Sequence, residues 1–206
     1  MRHTRYDTGR LALLALLTAI VAVLQMLGIA IRFGVFAVSL VGVPIIIGGA
    51  LLGPGAGAWL GLVFGVTVLA SGDAALFFAW DPIATVAIVL LKGTLAGLAA
   101  GGVYRLLERQ NIFLAALAAS VVCPLVNTGV FFLGCMLFFL EDCIQFAANL
   151  GITGSGPVVV AIAFIGFNFF FALGLDLVLC PAIVRIINTR RPFAAPVRIV
   201  KDEEKE

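Results

Sequence analysis

Apolar residues fall in long blocks along this chain, and the blocks set its elements. A membrane-spanning helix needs about 20 largely apolar residues. Six segments reach or approach that length, at residues 11–31, 36–52, 55–71, 82–106, 112–139 and 157–187. The second and third are short, with only "GPGAGA" between them. The fifth and sixth are long enough to tilt or to project beyond the bilayer. The pattern predicts an all-α integral membrane fold with six transmembrane helices.

Composition agrees. The 206 residues are 63% hydrophobic and 12% charged, and the mean hydropathy is +1.19. A soluble domain is normally about 45–50% apolar and about 25% charged. The membrane domain is expected to occupy residues 1–190, leaving little room for a soluble one. Residues 191–206 form a charged cytoplasmic tail ending "KDEEKE", which reads as a solvated end. The opening "MRHTRYDTGR" has the basic character of a signal peptide. The apolar run behind it is too long for one and lacks a small-residue cleavage end, so a retained first helix is expected.

Basic residues orient the helices. Arg2, Arg5 and Arg10 precede the first segment. Arg105 and Arg109 lie between the fourth and fifth, and Arg185, Arg190, Arg191, Arg198 and Lys201 end or follow the sixth. With six spans these three clusters share one side, which places both termini in the cytoplasm. The opposite loops carry Asp73, Asp81, Glu141 and Asp142, with Arg32 as their only base.

Small residues form stripes. Ala12, Ala15, Ala19 and Ala22 occupy one face of the first helix. Gly53, Gly57, Gly61 and Gly65 repeat every fourth residue in the third, and Gly93, Gly97 and Gly101 do so in the fourth. Such faces let helix backbones approach closely in lipid. Internal packing accounts for the glycines. The alanine stripe lies on a terminal helix with one side free, so internal packing and a partner surface both remain open for it.

Polar groups at membrane depth are the chemical exceptions. A lysine at the centre of a membrane helix costs on the order of 2.5–3.5 kcal/mol on insertion scales. Lys92 sits in "TVAIVLLKGTLAG". Asn127, Thr128 and Asn168 fall at comparable depth, and Thr85 lies on the Lys92 face nearer the outside. These residues either form a structural hydrogen-bond knot or face a guest. Amides and hydroxyls leave the ammonium unbalanced, and Asp176 lies about two turns deeper than Asn168. An anionic guest is the other candidate counter-ion. The loop "SGDAALFFAWD" offers Phe77, Phe78 and Trp80 for stacking or for interface anchoring. "EDCIQFAANLGITGSG" has the polar, glycine-rich character of a mobile gate. Arg32 can meet a carboxylate at the entrance or a lipid phosphate.

Much chemistry is excluded. No GxxxxGK[ST] loop is present, and the one histidine, His3, lies in the tail, so histidine-dependent proteolysis and an HExxH metal site are ruled out. Cys123, Cys135, Cys143 and Cys180 show no CxxC or metal spacing. Three of them read as small hydrophobes; Cys143, in a loop, stays open. The chain is not expected to be an enzyme, to hold a cofactor or metal, or to bind nucleic acid. A lone binding site without a motor suggests a subunit that draws energy from partners.

"SLVGVPIIIGGALLGPGAGAWLGLVFGV", "LLKGTLAG", "CPLVNTGVFFLG" and the AxxxA pattern of "ALLTA", residues 15–19, resemble one family. They are similar to the substrate-binding S component of energy-coupling factor (ECF) vitamin transporters, over roughly residues 10–190. The resemblance implies a plasma-membrane subunit that binds a B vitamin or related micronutrient near the outer face. It also implies docking of the alanine motif on a membrane T component driven by two ATPases, and a toppling of the whole S component that carries the vitamin inward. The sequence is closer to the pantothenate and folate group than to the biotin or thiamine group. Pantothenate is small, hydroxylated and carries one carboxylate, which suits one lysine plus amides. Folate, riboflavin or another micronutrient is the alternative guest. A scaffold or lipid-interacting protein with a polar knot is the alternative of another class.

Overall fold

A computed structural model describes residues 8–30, 32–33, 36–37, 40–149, 151, 154, 156–160 and 166–194. Among them are nine helices. These are α1 (Thr8–Ala30), α2 (Gly42–Leu52), α3 (Pro54–Ala70), α4 (Ala75–Trp80), α5 (Pro82–Leu107), α6 (Ile112–Phe138), α7 (Leu140–Asn149), α8 (Gly156–Val160) and α9 (Gly166–Ala194). Four of them, α1, α5, α6 and α9, contain stretches long and apolar enough to cross a membrane, and α2 and α3 are shorter apolar helices.

Local chemistry sets the boundaries. Asp81 caps α5 by accepting hydrogen bonds from the amides of Ile83 and Ala84 at 2.9 and 3.0 Å, with Pro82 in the first helical position. Asn111 caps α6 in the same way. Each such cap stabilises its helix by about 1 kcal/mol. Gly53 separates α2 from α3 with a φ of 106°, a conformation that only glycine adopts cheaply. Pro54 then opens α3. Arg10 donates to the Leu52 carbonyl at 3.1 Å, and the Arg105 guanidinium lies against Gly53. Two cations thus meet the carbonyl end of α2, where the helix dipole favours positive charge.

The segment read as 36–52 is helical only from Gly42. Before it, Arg32–Phe33 and Phe36–Ala37 form two short antiparallel strands, β1 and β2, pairing Arg32 with Ala37 and Phe33 with Phe36. Backbone groups committed to that ribbon cannot also make the i to i−4 bonds of a helix. The stretch after Phe139, read as a loop, is helix α7 over its first ten residues. Phe139, Cys143 and Ala147 recur every four residues and are buried, while Glu141 and Gln145 are exposed. Within the sixth segment the described helices are α8 and the longer α9, which runs on to Ala194.

The core is built on α3 and α5, which run antiparallel with backbones in contact. A Cβ added at Gly57 would strike the Gly97 carbonyl, and one at Gly61 the Gly93 carbonyl. Gly49 of α2 meets Gly101 in the same manner. The glycine stripes are thus internal packing surfaces. Leu17 and Val21 of α1 join this core, as do Ile45 and Ile46 of α2, Ala116 of α6 and Ile183 of α9. The opposite face of α1 is exposed at Ala12, Ala15, Leu16 and Ala19.

Candidate functional site

The helices converge on a cavity of about 110 Å³. Lys92 reaches it from α5, Asn127 and Thr128 from α6, and Asp176 from α9. Gln25 enters from α1 and Asp73 from the α3–α4 connection. Phe64, Val68, Ala96 and Ala172 supply apolar wall.

Each polar group has its own setting. The Lys92 ammonium lies 4.7 Å from the centre of the Phe131 ring, within cation–π range. The charge of Asp73 also bears on it. Among the described residues no group accepts a hydrogen bond from the ammonium. Gln25, only 3% exposed, donates to Asp73 at 3.3 Å. The side-chain oxygen of Asn127 is buried with no hydrogen-bond partner among the described residues. Pro124, inside α6 and on the lining, cannot donate to the Ser120 carbonyl, a break that membrane helices tolerate.

Three of the residues singled out from sequence, Lys92, Asn127 and Thr128, therefore share one cavity. Two others stand apart from its lining. Thr85 is buried in the first turns of α5, where its hydroxyl donates to the Asp81 carbonyl at 2.7 Å. Trp80 packs edge-on against Phe77 at 5.1 Å and against Phe146 at 6.3 Å. Phe77 also meets Phe131, so this aromatic cluster continues to the ring beneath Lys92. The side chains of Arg32 and Asn168 lie outside the described residues. Ala12, Ala15 and Ala19 are exposed and Ala22 is half-buried.

Sequence reasoning missed Gln25 and Asp73 as site residues. Gln25 carried a legible signal, because a polar residue in an apolar run four positions beyond Val21 shares the buried face of α1. Asp73 carried none, because an acid in a loop reads as solvated until the fold turns it inward.

No curated protein matches the chain. Residues 9–184 match the family of the ECF transporter, substrate-specific component. Such components are substrate-binding subunits of transporters rather than enzymes, and they associate with T and ATPase components in a membrane. With that match and its membrane-length apolar helices, the chain belongs to the family of ECF transporter substrate-specific components and is a multi-pass protein of the plasma membrane.

Proposed function

We propose that the chain captures a small water-soluble vitamin, with pantothenate favoured, and that Lys92 holds its carboxylate. The observation that carries this reading is the setting of Lys92. Its ammonium stands over an aromatic ring on a cavity wall, and no described group accepts its hydrogen bonds. A half-buried ammonium without an acceptor has donors to offer a guest. A guest carboxylate supplies the acceptor and excludes water at the same time. Asn127 and Thr128 then hold the guest's polar arms. Asn168 precedes the lining residues Ala172 and Asp176 by four and eight positions and joins the site on that spacing.

In this reading six helices span the membrane, with α2 and α3 among them, and both termini lie in the cytoplasm. Support comes from the meeting of Arg10, Arg105 and the α2–α3 turn at one end of the helices. Basic residues gather on the cytoplasmic side. The exposed face of α1 around Ala15 and Ala19 docks on the T component, and two ATPases drive the cycle. Mass spectrometry of the small molecules released from purified protein tests the proposal. Pantothenate at stoichiometric yield is the expected result. Folate, riboflavin or lipid in its place would replace the substrate named here.

A further inference from the structure

Asp176 is the cavity residue that a carboxylate guest does not explain. Its side chain is 3% exposed, yet it lines the same cavity as Lys92. Among the described residues it accepts no hydrogen bond. A buried carboxylate without donors is unfavourable. The fold nevertheless makes room for it. A Cβ at Gly42 would fall 2.5 Å from Oδ2 and 2.7 Å from Oδ1, so a larger residue at the start of α2 would displace the carboxylate.

Its position relative to Lys92 follows from α6. Lys92 lies over Phe131, whereas the charge of Asp176 bears on Cys123. Those two α6 residues are two turns apart, about 12 Å along the helix. Asn127 lies midway between them, with its buried oxygen unpartnered. The cavity thus runs from a cation, past an amide acceptor, to a carboxyl group. The first end takes an anion. The middle and far end offer acceptors, and a guest that brings no donors leaves the buried Asn127 oxygen unsatisfied and the Asp176 carboxyl unused.

We infer that Asp176 determines specificity by accepting hydrogen bonds from hydroxyl groups at the end of the guest remote from its carboxylate. The site then selects small hydroxylated carboxylates and rejects equally shaped acids without hydroxyls. The inference rests on the reading of Lys92 given above.

Titration calorimetry of purified wild-type and Asp176→Asn protein tests it with two probes. One is pantothenate. The other is N-(3,3-dimethylbutanoyl)-β-alanine, which keeps the carboxylate, amide and branched carbon skeleton but lacks both hydroxyls. Wild-type protein should prefer pantothenate by about tenfold or more, the effect of a charged hydrogen bond. Asp176→Asn should erase most of that preference by weakening pantothenate alone. Equal loss for both probes, or no loss for either, overturns the inference and makes Asp176 a structural residue. Should the variant not fold, the wild-type comparison decides, since equal affinity for the two probes overturns the inference by itself. In that case pantothenate binding still stands, and so does the proposed function. Wild-type protein that binds neither probe overturns both.

Discussion

Gly61 of α3 and Gly93 of α5 face each other so closely that a methyl group on either would strike the other's carbonyl. With Gly57 against Gly97, and Gly65 against the backbone of Val89 and Leu90, they fix the antiparallel register of the two helices. Gly61→Leu or Gly93→Leu must therefore push whole backbones apart. Overpacking of this kind costs about 1–3 kcal/mol or more. Either variant should lose monodispersity in detergent and melt well below wild type by fluorescence scanning. Gly55→Ala is the control, because a Cβ there meets nothing within 4 Å. A Gly61→Leu protein as stable as Gly55→Ala would show that the helices are not packed backbone to backbone.

Lys92→Met keeps the length of the side chain and removes its charge. Under the proposed function it weakens vitamin binding by about ten- to a hundredfold, the range of a charged hydrogen bond. Expression should hold or improve, since a charge at membrane depth is gone. Lys92→Arg should fail to restore affinity, because a planar fork does not replace a compact ammonium over Phe131. Calorimetric titration decides. Poor folding with unchanged affinity in the surviving protein would make Lys92 a packing residue.

Ala15→Trp and Ala19→Trp place bulk on the exposed face of α1, away from buried Leu17 and Val21. Uptake into cells should be abolished and vitamin binding left near normal. Co-purification with the T component should fail. Variants that still assemble and transport would move the docking surface elsewhere.

Orientation can be read with single cysteines in a background where Cys123, Cys135, Cys143 and Cys180 are replaced. Glu141 and Gln110 are both exposed, at opposite ends of α6. In intact cells an impermeant thiol reagent should label Glu141→Cys and spare Gln110→Cys. The reverse labelling would turn the Lys92 end of the cavity toward the cytoplasm and remove the case for uptake.

The spacing rules that work in lipid made much of this legible. Long apolar runs located α1, α5 and α6 within a few residues, and the four-residue glycine repeat named the packing faces of α3 and α5. It did not give their register, which depends on which glycine meets which. Lys92, Asn127 and Thr128 stood out because polar groups in an apolar run must face something. The paired strands before α2 were hidden, because an apolar stretch of that length reads equally as helix. Helix α7 was hidden by its charge, although Phe139, Cys143 and Ala147 already carried a helical period. That Gln25 and Asp73 meet at the cavity is a tertiary fact, set by how α1 packs on the end of α3.

Gln25 borders the cavity, and Ala15 lies ten residues earlier, about 15 Å down the axis of α1 on its exposed side. A straight helix cannot shift one side and leave the other still. If the outer side docks as proposed, then α1 acts as a rod between reader and writer, and a guest that moves Gln25 also moves the alanines. Paired spin labels at exposed Leu16 and Gln110 should change their separation when vitamin is added. An unchanged separation would leave α1 a fixed post and place the signal in another helix. With a moving rod, loaded and empty subunits show a motor the same alanines at different positions, and the cavity reports its own occupancy.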